Sequence, residues 1–159
     1  MIDLRYLPSI KKGVLDQMEE GLITKSQMAD IAVFVYDGKM HSVDSNDISF
    51  RLAGKNAFKM AFEEAAPKIL EPIHEVVCKV PEIYMGDTMT DLQNRRASIQ
   101  SMDPEGKYQV ITALVPLAEM DGFSTSLKAI THGRGTFTWS FQNYQTVPEY
   151  IQKDRKSVV

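Results

Sequence analysis

The residues of this sequence that could do chemistry are few and scattered. Its three histidines stand at 41, 74 and 132, with no C-x-x-C or H-E-x-x-H spacing around them, so no zinc site is implied. Cys78 lies inside an apolar segment and reads as a buried structural thiol. There is no G-x-x-x-x-G-K-[ST] loop to cradle a nucleoside triphosphate and no G-x-S-x-G elbow. Gly133-Arg134-Gly135 is too short for a phosphate loop and reads as a turn before a strand. Asp87 and Asp91, four apart on an expected helix, read as a solvated face. No acid, base, nucleophile and metal ligands converge, so catalysis is not expected of this chain. What remains are groups suited to binding. His41 falls near a loop, and Arg95, Arg96 and Arg134 read by spacing alone as solvated charges.

The elements that must position these groups follow from periodicity. Residues 6–20 read as a helix with Ile10, Val14 and Met18 as its stripe, Gly21 as its stop and Gly13 as a weak point. Residues 30–36 alternate as a strand, followed by the turn Asp37-Gly38 and a short segment, 39–43, without a period. Asp44 or Ser45 can cap a helix over 46–65, with Asp47 in its first turn, Ile48, Leu52 and Phe62 on its stripe and Pro67 ending it. Residues 68–73 read as a linker or short strand.

Residues 74–80 read as a strand and 84–99 as a helix. Two further segments, 98–102 and 108–115, flank a type I turn at 103–106. A helix from Pro116 to about Ile130 follows. Residues 136–141 then alternate, with Phe137, Trp139 and Phe141 inward, and a closing segment after Pro148 can be helical. The order strand, helix, strand, strand, helix, strand over 72–147 is the split β-α-β order of a ferredoxin-like sandwich. The fold class is therefore α+β.

Composition narrows the function classes. The 159 residues are 43% hydrophobic and 25% charged, enough for a packed core. A net charge of −3 argues against a general nucleic-acid binder. Dividing the chain does not change this: residues 1–71 carry 9 Lys/Arg against 11 Asp/Glu, and residues 72–159 carry 9 against 10. Contact with RNA would have to come from local patches. One cysteine cannot form an internal disulfide, which fits a reducing, cytoplasmic setting. No apolar run approaches a membrane span, and the N-terminus has no signal-peptide pattern.

Several segments together resemble the C-terminal domains of translation elongation factor G. They are Tyr84-Met85-Gly86-Asp87, Asp91-Leu92, Asn94-Arg95-Arg96, Val115-Pro116-Leu117-Ala118-Glu119-Met120, Gly133-Arg134-Gly135, and Tyr144 with Val147-Pro148. Upstream, Tyr36-Asp37-Gly38, His41, Val43-Asp44-Ser45 and Phe50 resemble the preceding domain, and Ile69-Leu70-Glu71-Pro72-Ile73 the junction. The resemblance implies that residues 1–70 are the C-terminal part of domain IV, with a ribosomal protein S5 domain 2-like fold. Residues 71–159 would be domain V, ferredoxin-like. The GTPase domain would lie elsewhere in a longer protein, so Met1 is not expected to be its natural start.

The resemblance also implies partners. The segment around His41, with Gly38, Lys39 and Ser42, would lie at the tip that enters the small-subunit decoding region and helps move tRNA and mRNA. Domain V, with Arg95, Arg96 or Arg134, would lie near the large-subunit rRNA and stalk-base proteins. The chain itself would hold no cofactor; GTP and Mg would belong to the missing GTPase domain. Neither a membrane nor DNA is an expected partner, and the chain is expected to be a monomer. Two positions depart from the usual tip pattern G-S-Y-H-E-V-D-S, Met40 for the aromatic and Ser42 for the acid, and His132 replaces Gln in T-Q-G-R-G. These departures keep open a diverged paralogue or a tetracycline-resistance ribosomal protection protein. From another class, a ferredoxin-like small-molecule sensor module is the alternative.

Overall fold

The computed structural model describes residues 2–156 and divides them into two compact units. Residues up to Lys68 form the first together with those from Pro148 onward, and Ile69–Val147 form the second. The C-terminal segment clusters with the first unit, whereas the sequence places residues 71–159 in one domain. Its helix α5 (Glu149–Lys156) is tied there by Gln152, whose Nε2 donates to the Pro67 carbonyl oxygen at 3.3 Å.

In the first unit, α1 (Leu7–Glu20) packs on α2 (Asp47–Glu64). Proline in the first turn of α1 loses no hydrogen bond, and Gly21 at φ +66 ends the helix. Asn46 caps α2 by accepting from the Ser49 N–H at 2.8 Å, one or two residues later than the expected Ser45 or Asp44. The buried positions of α2 are Phe50, Gly54 and Phe58, whereas Ile48 and Leu52 lie outward. The expected stripe was thus rotated, because the contact is made through glycine and two aromatics. Ser9, Asp16 and Glu20 bond Asp47, Arg51 and Lys55 in that order, so the helices run in the same sense.

Gly13 permits their close approach. A Cβ there would overlap the Arg51 carbonyl oxygen, and one on Gly54 would sit 2.7 Å from that of Ile10. The residue that weakened the helix in sequence is the one the crossing requires.

The strand expected at 30–36 does not form. Phe34 and Tyr36 are 83% and 97% exposed. A strand exists through the neighbour that pairs with its backbone, and among the described residues none pairs with this segment.

The second unit carries the expected order: β1 (Leu70–Pro81), α3 (Met85–Asn94), β2 (Ser98–Glu105), β3 (Tyr108–Pro116), α4 (Phe123–Ile130) and β4 (Thr136–Thr146). They make one antiparallel sheet ordered β2-β3-β1-β4, the ferredoxin-like arrangement. Val76, Cys78 and Val80 on β1 and Ile111, Ala113 and Val115 on β3 pack under Leu92, Phe123 and Leu127 from the helices. Burial, then the nearby charge of Asp91, pushes the Cys78 thiol up to about 12.

Boundaries shift where sequence ran elements together. The helix expected to reach 99 stops at Asn94. The helix expected from Pro116 is a short 3₁₀ turn (Leu117–Glu119), then Gly122 at φ +68, then α4. The hairpin turns at Gly106-Lys107, because β2 continues through the Asp-Pro-Glu read as a turn and Gly106 supplies the positive φ. Phe137 packs on the core, but Trp139 and Phe141 are half exposed. The eight residues of α4 span about 12 Å, whereas the eleven of β4 span about 36 Å, so the helix covers only one end of this edge strand.

Two measurements test this packing. Ala is favoured over Gly in a helix by about 1 kcal/mol, but overpacking costs about 1–3 kcal/mol and the clash at Gly13 is with backbone. Gly13→Ala should therefore lower the urea midpoint, while Gly86→Ala, whose Cβ meets nothing within 4 Å, should hold or raise it. Equal effects would refute the close crossing. Cys78 should resist alkylation at pH 8 in the folded chain and react readily in denaturant; rapid labelling of the native thiol would contradict its burial.

Candidate nucleic-acid interface

The first candidate group is the loop before α2. Its geometry is set by a closed turn: the His41 N–H donates to Ser45 Oγ at 2.8 Å, and the Ser45 N–H donates to the His41 carbonyl at 3.2 Å. Tyr6, stacked on Phe50 with ring centroids 4.4 Å apart, donates its hydroxyl to the Ser45 carbonyl and anchors the turn to the helix pair. The His41 side chain remains 71% exposed. Its Nδ1 lies 3.2 Å from Asp44 Oδ2, which leaves Nε2 toward solvent. Lys39 and Ser42 are exposed beside it, and Gly38 donates its N–H to Asp37 Oδ1 at 2.7 Å. The loop thus brings together the four residues that the resemblance grouped. Sequence reading did not assign Asp44 the task of orienting the imidazole.

The arginines of the second unit divide sharply. Arg95 donates to Asp91 at 2.9 Å and to the carbonyls of Glu119 and Asp121 at 2.6 and 2.8 Å, with its guanidinium over the Phe123 ring. Asp91 also accepts from Ser126 at 2.8 Å, so this carboxylate ties α3 to α4 and is not a solvated face. Arg96 makes a bidentate pair with Glu71 at 2.8 and 2.9 Å and donates Nε to Glu119 at 2.9 Å. Its hydrogen bond to Glu71, and more weakly that to Glu119, hold the guanidinium still more firmly protonated, with burial acting the other way.

Arg96 also sits at φ +60, with its N–H on the Gln93 carbonyl and the Ala97 N–H on that of Leu92. This is a Schellman end to α3, with arginine where glycine is usual. Reading Arg95 and Arg96 as solvated charges is therefore corrected. Their partners lie up to 26 residues away, beyond the reach of local pattern.

Arg134 differs. It follows α4, is exposed, and lies over the Tyr84 ring, whose hydroxyl accepts from its Nη2. No carboxylate lies within ion-pair distance of it among the described residues. His132 packs on the same Tyr84 ring with centroids 5.6 Å apart.

No group of three or more His, Cys, Asp or Glu among the described residues is arranged to hold a metal ion. No helix among them is long and apolar enough to cross a membrane.

The difference between the arginines is testable in stability. Breaking a buried ion pair from one side costs about 3 kcal/mol or more, because the remaining charge is stranded. Arg96→Met should therefore lower the melting temperature strongly, and Arg134→Gln should change the unfolding free energy by no more than about 0.5 kcal/mol. Equal losses would erase the distinction.

Comparison with known proteins finds two successive matches, the second of which runs past Pro148. The family model "Elongation factor G, domain IV" matches residues 2–66, and "Elongation factor G C-terminus" matches residues 68–155. The chain is 44% identical over 151 residues to elongation factor G of Aquifex pyrophilus, covering 95% of this chain and 22% of that protein. A crystal structure of a Thermus thermophilus protein, ttk003000868, superposes with a TM-score of 0.83 at 34% identity, over 99% of this chain and 24% of that one. The chain thus spans about a quarter or less of the length of these relatives. It belongs to the elongation factor G family of translation factors, of which it carries domain IV sequence and the C-terminal domain.

Proposed function

We propose that this chain is the ribosome-contacting C-terminal part of a translational GTPase that promotes movement of tRNA and mRNA during elongation. The observation that carries this reading is the exposed, internally braced His41 loop within a chain matched along its length by elongation factor G models. A loop held by its own hydrogen bonds presents His41, Lys39 and Ser42 with little further ordering on binding. An imidazole oriented through Nδ1 can donate from Nε2 to phosphate when protonated, or stack on a base.

Of the arginines, Arg134 is the one we assign to RNA, because Arg95 and Arg96 spend their donors inside the unit. The latter two position the elements and do not reach outward.

The chain's own work is mechanical: one unit supplies the tip and the other the large-subunit anchor. The residues present do not fit a nucleotide–magnesium site, having neither a phosphate loop nor a metal-ligand cluster among the described residues. GTP and Mg are therefore assigned to other domains of the longer protein. That protein would act in the cytoplasm as a monomer, with ribosomal RNA and stalk-base proteins as its partners.

In the full-length protein, His41→Ala should slow single-turnover tRNA movement about tenfold, the scale of one lost charge-assisted hydrogen bond. GTP hydrolysis should be unchanged. Equal loss of both activities would remove the tip role.

A further inference from the structure

Residues 31–36 are composed as a strand but stand alone. The run Ile-Ala-Val-Phe-Val-Tyr holds no charge, no proline and no glycine, and none of its residues has a positive φ. No backbone hydrogen bond reaches it among the described residues. Phe34 and Tyr36 are almost fully exposed, and Val33 and Val35 are half exposed, so both faces of the segment are apolar and open. A segment of this kind offers unpaired N–H and C=O groups to any other strand. Natural edges are commonly blunted by lysine or proline, and this one has neither.

The flanks decide what can pair with it. Asp30 and Asp37 close the segment at its two ends, and neither makes an ion pair among the described residues. Two carboxylates repel an anionic partner such as RNA, so an uncharged strand fits best. A second copy of the chain supplies one. Two identical antiparallel strands close under a two-fold axis only where paired residue numbers have an even sum, because matching residues then face the same side. A centre at Val35 sets Val33 against Asp37, and a centre at Phe34 sets Ile31 against Asp37. A centre at Val33 avoids both. It sets Ile31 against Val35, Ala32 against Phe34, and Asp30 against Tyr36, whose hydroxyl can donate to the carboxylate. It also brings the two Phe34 rings within diagonal reach of each other.

We propose that residues 31–36 of two chains pair antiparallel about Val33 and hold this chain as a homodimer, where sequence alone implied a monomer. The pairing is independent of ribosome contact.

A two-stranded ribbon is marginal by itself, so the dimer should be weak and concentration-dependent. In sedimentation equilibrium of the 159-residue chain, the mass should rise from one chain toward two as concentration increases. Val33→Lys and Val33→Glu each set like charges across the two-fold, and each should stay monomeric where wild type is dimeric. An equimolar mixture of the two variants sets lysine against glutamate and should recover the dimer. Val33 lies outside both core clusters, so neither change should alter thermal unfolding of the two units. Trp139→Lys, on the exposed aromatic end of β4, should leave the dimer intact. A wild-type chain that is monomeric at every concentration, an open-ended series of larger species, a dimer that survives Val33→Lys, or a mixture that stays monomeric would overturn the pairing. Hydrogen-exchange protection of the 31–36 amides in a monomer would also overturn it, by assigning the edge to a segment of the same chain.

Discussion

The guanidinium of Arg96, clasped between Glu71 and Glu119, is the interaction on which the second unit depends. It gathers the start of β1, the end of α3 and the turn after β3 at one point. Glu71 is nearly fully buried, and the bidentate pair with Arg96 meets its charge there. The clasp also holds Arg96 in a left-handed conformation that a non-glycine residue adopts at a cost of about 1 kcal/mol or more. Arg95 repeats the logic one residue earlier, binding two carbonyls of the same turn and the carboxylate that accepts from Ser126 on α4.

This internal use of arginine decides what is left for function. A chain with net charge −3 has no general attraction for RNA, and its most strongly bonded cations face inward. What can face a polyanion is local: Arg134 on its rigid loop in one unit, and His41 with Lys39 on a braced turn in the other. In both places the side chain is exposed while the backbone beneath it is tied by hydrogen bonds. That combination keeps the ordering cost of binding small.

Much of this was legible in sequence wherever the signal was local. The α1 stripe, the β-α-β-β-α-β order and the turn at Gly133-Arg134-Gly135 follow from periodicity and turn chemistry, and the structure has them. What local pattern could not supply were partners. Residues 30–36 alternate as a strand should, yet a strand needs a neighbour and finds none among the described residues. The α2 stripe was misplaced because Gly54 counts as nothing on a hydrophobic scale, although it is where the helices come closest. The site divides the same way. The resemblance pointed to His41 and to Arg95, Arg96 or Arg134 without choosing among the three, but the link from Tyr84 to Arg134 and the inward turn of Arg95 and Arg96 join residues 23 to 50 apart, and only folding reveals them.

The central claim is that this chain by itself carries ribosome-contacting surface. Co-sedimentation of the 159-residue chain with purified ribosomes across a salt series tests it most directly. The account predicts weak, salt-sensitive binding that full-length elongation factor G displaces. Absence of binding even at low salt, or binding that elongation factor G leaves in place, would contradict it.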